Sequence, residues 1–285
     1  MTNFRKIIRL YHMDGSVDGR WMCDLSNWTG KAYKIPRTCL KKCDERDDLR
    51  TPGIYFLFGI DEETNRQSVY VGESEDVYTR LTHHFKDKDE GYWTETIAFV
   101  SKDDHLNKAH IKYLEHQLYS IMKEAQRYTV RNGSVPRKSV VSEIEQAELE
   151  EFMSNVKLLV STLGHRAFDP LREKEGSTSN STFHFIRSQG KGGKAEGQMT
   201  NEGFVVMKGS YISPTVADYV PKGTKEARKK HAAIIDENSI LQEDALFSSP
   251  SSASSFVCGK NSNGWVDWKT AEGKTLREVE DSKLT

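Results

Sequence analysis

Five side chains between Gly53 and Glu115 are of types that could cooperate on a phosphate ester: Tyr55, Tyr70, Arg80, His84 and Glu115. An arginine fork matches a phosphate bidentately and can stabilise charge that builds on its equatorial oxygens. A phenol titrates near 10 in water, so a tyrosine accepts a proton at neutral pH only with help. A neighbouring guanidinium or a metal ion lowers that cost by favouring phenolate and hydroxide. Taken singly, each residue has an ordinary explanation. Strand tyrosines usually pack, Arg80 and His84 (beside His83) would lie on a solvated helix face, and Glu115 would be a common helix carboxylate. Their order and spacing are what point to chemistry.

The local pattern supplies elements to position them. In GIYFLFGI, strand alternation puts Ile54, Phe56 and Phe58 on one face and Tyr55 and Leu57 on the other. In VYVGES, Val69 and Val71 point one way and Tyr70 and Gly72 the other, with the polar DEETNR stretch between the segments as a hairpin loop. Both tyrosines then share one face of a ribbon. A helix is expected from Ser74, with that serine as cap, Glu75 and Asp76 in its first turn, and Val77, Leu81 and Phe85 at helical spacing. Arg80 and His84, four apart, can both face the ribbon. After the strand YWTETIAFVS a second helix carries the stripe Ile111, Leu114, Leu118, Met122 and Ala125. Glu115 lies on the margin of that stripe, where a carboxylate is costly unless a cation or hydrogen-bond donors meet it.

The order GIY, then YVG at Tyr70 to Gly72, Arg80, His84, Glu115 and Asn132 resembles the GIY-YIG nuclease domain over about residues 51–135. YVG for YIG is a departure from the family pattern. The resemblance implies an α+β fold, a small antiparallel sheet flanked by helices, that acts as a metal-dependent endonuclease hydrolysing phosphodiester bonds of DNA. By that likeness Tyr55 is the general base, Tyr70 its hydrogen-bonding partner, Arg80 the phosphate clamp and Glu115 the ligand of one divalent cation, Mg²⁺ or Mn²⁺. His84 would assist proton transfer, as in some branches of the family, and Gly72 and Asn132 would support the site. The alternatives are a nuclease acting on RNA and a catalytically silent nucleic-acid binding or scaffolding module.

With 285 residues there is room for two compact domains. The expected organisation is an N-terminal β-hairpin extension over 1–50, the nuclease-like core over 51–136, a packing helix over 137–171, a linker over 172–182 and a C-terminal α+β domain over 183–285 that binds substrate or partner. A net charge of only −1 means that any polyanion contact comes from local patches. Candidates are Lys31, Lys34 and Arg37 with Lys41 and Lys42, then Arg131, Arg137 and Lys138, and Lys191 and Lys194 in a glycine-rich turn; such runs are most often solvated faces. No apolar run long enough to span a membrane occurs and the first residues hold no long apolar stretch, so a cytoplasmic protein is expected. Cys23, Cys39, Cys43 and Cys258 fit no disulfide framework. A zinc site using three of them with His12 lacks the paired CxxC spacing. Nothing in the sequence indicates an oligomeric state.

In the extension, FRKIIRLYHMDG pairs with GRWMCDLSNW, and a short helix entered through Pro36 puts Cys39 and Cys43 on one face. The SNWTGKAYKIPR piece resembles the leader of GIY-YIG modules in one bacterial group; it is expected to pack on the nuclease sheet, with DNA contact as the alternative. Beyond the core, Leu149, Phe152, Met153, Val156, Leu159 and Val160 mark a helix that stops at Gly164. Residues 183–285 resemble a small domain of unknown function attached to many bacterial GIY-YIG proteins. There FHFIRSQ and GFVVMKGS read as strands joined by the turn-rich GKGGKAEGQMTNE and a helix is expected near Ala227 to Asp236; the serine run at Ser248 to Ser255 has a low-complexity look, and the resemblance implies that it begins a short helix. Trp265 and Trp268 are either core or a base-stacking platform.

Overall fold

The computed structural model describes residues 5–62, 66–87, 91–103, 105–172, 182–186 and 194–283. The chain forms two compact units, Met1–Pro170 and Leu171–Thr285, and its fold class is α+β. No helix among the described residues is long and apolar enough to cross a membrane.

The first unit is built on seven strands: β1 Ile8–His12, β2 Trp21–Leu25, β3 Gly30–Pro36, β4 Gly53–Ile60, β5 Gln67–Ser74, β6 Trp93–Ser101 and β7 Thr129–Val130. Their order is β1-β2-β3-β6-β4-β5-β7, and only the β5–β7 pair is parallel. Helices α1 Val77–Lys86, α2 Lys108–Ala125 and α3 Glu143–Thr162 complete the unit. One face carries Ile54, Phe56, Phe58, Val69 and Val71 against the apolar stripes of α2 and α3. The other carries Tyr55 and Leu57 against Val77 and Leu81 of α1 and Leu40, Cys43 and Leu49 of two 3-10 turns. This explains the unbroken apolar run of β4. A strand covered on both faces is selected for hydrophobicity at every position, and each buried Phe or Leu contributes ~2–3 kcal/mol.

Three local expectations change. The GKAYKIP piece is a full strand, β3, pairing with β2 on one side and β6 on the other. The extension is therefore continuous with the sheet. Lys31 and Lys34 break its apolar pattern, so the sequence did not mark it as a strand. Second, the helix after β5 starts at Val77 with Asp76, not Ser74, as its cap, the Asp76 carboxylate accepting the Thr79 N–H at 2.8 Å. Pairing of Ser74 with Gly53 holds that serine in the strand. Third, the turn entered through Pro36, Arg37–Cys43, is 3-10. The expected cap chemistry appears at α3, where Ser142 and Glu145 form a capping box.

The second unit holds an antiparallel sheet, order β11-β10-β9-β8, from β8 Thr182–Ile186, β9 Lys194–Thr200, β10 Gly203–Val206 and β11 Ala245–Phe247. Around it lie α4 Lys222–Lys230, α5 Pro250–Cys258, α6 Gly264–Asp267 and α7 Leu276–Ser282. Part of the expected turn region is β9. Its Gly197 is required by packing, since a Cβ there would come 2.3 Å from the Phe204 ring. The helix expected near Ala227 starts earlier and ends at Lys230, followed by a 3-10 turn over Ala232–Ile234. Trp268 is fully buried and donates its indole N–H to the Pro250 carbonyl at 3.1 Å, while Trp265 packs on the same core. Neither is an open stacking platform. Most of the expected linker, and Lys191, lie outside the described residues.

Candidate active site

Register builds the site. Tyr55 stands opposite Gly72 on β5 and Ala98 on β6, so its ring has two small neighbours. A Cβ on Gly72 would lie 2.3 Å from Tyr55 Oη and 2.9 Å from Tyr70 Cε1. The glycine of the YVG triplet is there because the Tyr55 phenol lies across it. From α1, residues one turn apart reach the same oxygen: His84 Nε2 is 2.8 Å from Tyr55 Oη, and Arg80 Nε donates to it at 3.3 Å. The Tyr70 ring completes the group, with centroids 6.2 Å from Tyr55 and 5.2 Å from His84. Tyr55 and His84 are buried, Tyr70 is half-buried and Arg80 is exposed.

The two phenols are unequal. Burial holds the Tyr55 phenol well above its ordinary value, and the neighbouring Tyr70 raises it further against the pull of Arg80. Tyr70 is also raised by burial, but the Arg80 guanidinium and a hydrogen bond with Tyr55 oppose this. Tyr70 is therefore the easier phenol of the pair to ionise.

Glu115 comes from α2, beside the edge of the sheet. Its carboxyl is pushed up to about 7 by burial and by the charge of Glu73, against Lys108 and Lys112. Its charge acts on Tyr70. Lys108 is engaged elsewhere, 2.8 Å from Glu73 and 3.6 Å from Glu75. Glu73 and Lys108 thus belong to the site, and the sequence signal for them was slight: a charge directly after YVG and another at the start of α2. No hydrogen bond joins Glu115 to the other four residues among those described.

The donor set suits a hard cation. Magnesium takes one or two carboxylates and keeps several waters, and Glu115, whose ionisation burial and the charge of Glu73 disfavour, is a carboxylate that such an ion would relieve. Among the described residues no group of three or more His, Cys, Asp or Glu is placed to hold a metal, so an enclosed all-protein cage is not present there. The zinc arrangement considered from the sequence fails sterically: Cys23 and Cys43 are buried on opposite faces of the sheet.

Asn132 acts on backbone. Its Oδ1 accepts the Val71 N–H at 3.2 Å and its Nδ2 donates to the Val71 carbonyl at 2.7 Å. It therefore pins β5 at the residue between Tyr70 and Gly72. The basic candidates divide. Lys31 pairs with Asp48 at 2.6 Å, Lys34 with Glu95 at 3.1 Å and Arg131 with Asp61 at 2.8 Å. Arg37 sits over the Trp93 ring at 4.3 Å and donates to the Phe85 carbonyl. These four are occupied by internal partners and do not make a free polyanion surface. Arg137 and Lys138 are exposed.

Comparison with known proteins informs the second unit. A family model described as Domain of unknown function (DUF4357) matches residues 185–280. The C-terminal part of the chain carries this domain. No curated protein and no solved structure matches the chain.

Proposed function

We propose that the first unit is a metal-dependent endonuclease that hydrolyses phosphodiester bonds of DNA. The observation that carries the reading is Tyr70: half-buried, its ring 6.2 Å from that of Tyr55 and 5.2 Å from that of His84, and acted on by the charges of Arg80 and Glu115. Tyr, Arg and His side chains from two strands and one helix come together here, with Glu115 on a second helix acting on Tyr70 by its charge. Arg80, exposed on one side and bonded to Tyr55 on the other, clamps a phosphate and stabilises its transition-state charge. Tyr70 accepts the proton of the attacking water, since its phenol ionises more easily than that of Tyr55. That exchanges the roles assigned from the sequence, and burial is the reason. Tyr55 is the donor that steadies the Tyr70 phenolate, and His84 holds Tyr55 in place. Glu115 is the residue to hold Mg²⁺ or Mn²⁺, which when bound supplies Lewis-acid charge neutralisation and a more acidic water.

The test is a cleavage screen of the full chain on plasmid, branched, single-stranded and modified DNA and on RNA, with Mg²⁺, Mn²⁺ or chelator. DNA cut only with divalent cation supports the reading. Preferential cutting of RNA moves the substrate class, and binding without hydrolysis under every condition supports the silent module instead.

A further inference from the structure

A well-formed cavity lies in the second unit, far in sequence from the tyrosines. It is a cleft of about 750 Å³ between the β8–β9 hairpin and the segment from Cys258 to Gly273. Its position follows from two local devices. Gly259, at φ +66°, ends α5 in the left-handed region, and a Cβ there would come 2.0 Å from the Thr215 carbonyl. Only glycine allows that close turn, which brings Lys260 to the cleft. Opposite, His184 and Lys269 exchange backbone hydrogen bonds of 2.7 and 3.0 Å, tying the 268–270 segment beside β8 as an extra rung.

Charge in the cleft is positive in excess, three lysines against one carboxylate. Lys194, Lys260 and Lys269 line it, all three are exposed, and none forms an ion pair among the described residues. Asp267, the carboxylate of the lining, accepts a hydrogen bond from Ser262 at 2.5 Å. His184 adds an imidazole, 3.4 Å from Glu196. The lining also holds apolar Phe185, backed by Trp268 at 5.3 Å, and Val266, together with the polar Asn261, Ser262 and Thr270. Three lysines and an aromatic ring in one lining match an anion with a flat organic body. The volume falls within the ~300–1,000 Å³ of small-molecule sites.

We propose that this cleft is a nucleotide site: it binds the phosphate of a nucleotide through Lys194, Lys260 and Lys269 and seats the base against Phe185 and Val266. The preference for a strand over a free nucleotide rests on the nuclease reading; the cleft chemistry does not. Such a site would hold one unpaired or displaced nucleotide of the substrate.

The experiment measures binding in chelator, where hydrolysis plays no part, so failure of the nuclease reading and failure of the cleft are separable. The probes are a labelled single-stranded oligonucleotide, followed by anisotropy, and unlabelled mononucleotides, followed by calorimetry on the full chain. Expected is a loss of oligonucleotide affinity of tenfold or more in Lys260→Ala/Lys269→Ala, with the salt slope falling by up to ~0.7, the value for one lost phosphate contact on a single strand. Lys260→Arg/Lys269→Arg should retain most of the affinity. The control Lys229→Ala/Lys230→Ala, on α4, should change it less than twofold. Mononucleotide binding sensitive to the same pair would identify a free nucleotide as ligand; oligonucleotide binding alone would identify a strand. Unchanged affinity for both probes in the folded cleft variant, or equal loss in the control, overturns the proposal.

Discussion

Glu115→Gln should make the metal-free protein more stable and inactive at once, an outcome expected of a site carboxylate and not of a structural one. The structure holds this carboxyl at about 7 against an ordinary 4.5, chiefly through burial, with Glu73 adding repulsion. The folded state therefore binds the extra proton between pH 4.5 and 7, and stability falls as pH rises across that window. At ~1.36 kcal/mol per pH unit the cost at pH 8 has an upper bound of roughly 3 kcal/mol. Solvent screening at a half-buried site reduces it to ~1–2 kcal/mol. Glutamine keeps the size and removes the charge. In chelator at pH 8 the Tm of the first unit should rise by roughly 3–6 °C, and at pH 4.5 by less than about 1 °C. Differential scanning calorimetry at the two pH values reads this directly. Mg²⁺ should then stabilise the native chain at pH 8 and leave the variant unmoved. A variant less stable than the native chain at both pH values would mean that Glu115 is satisfied by its surroundings and would refute the argument.

Gly72→Ala places a methyl 2.3 Å from Tyr55 Oη; the strained packing should cost about 1–3 kcal/mol by denaturant titration, and the displaced phenols should abolish cleavage. Asn132→Ala removes both hydrogen bonds to Val71, so stability should fall by about 1–2 kcal/mol, with amide exchange faster at Val71 than in the middle of β4. Metal affinity, titrated with Mn²⁺ by calorimetry, should rise about tenfold per pH unit below 7 and level off above it, since the cation displaces the Glu115 proton; a flat profile would place the ion elsewhere.

The parts of the fold written in apolar periodicity were legible. Alternation in GIYFLFGI and VYVGES put the right residues on each face, and the α2 and α3 stripes are buried as their spacing indicates. Elements that bury little hydrophobic surface were hidden. Strand β3 is interrupted by lysines and takes its register in part from β6, distant in sequence, so it did not read as a strand, and β9 carries glycine and charge, so it looked like a turn. At the site, types and order were visible at Tyr55, Tyr70, Arg80 and His84. Burial was not, and it is burial that separates the two phenols and turns Glu115 into a near-neutral acid. The basic patches misled because a sequence shows a lysine but not the Asp48 or Glu95 that claims it.

The central claim is tested most directly by single-turnover cleavage of the best DNA substrate by the native chain, Tyr70→Phe and Glu115→Gln, each first shown to be folded and to bind that DNA. Both variants should cut at least a hundredfold more slowly with Mg²⁺ present, with affinity for DNA preserved or, for Glu115→Gln, slightly tightened by the loss of an acidic repulsion. Cleavage at the native rate by either folded variant, still abolished by chelator, would show that the hydrolytic centre lies outside the Tyr70, Arg80 and Glu115 group.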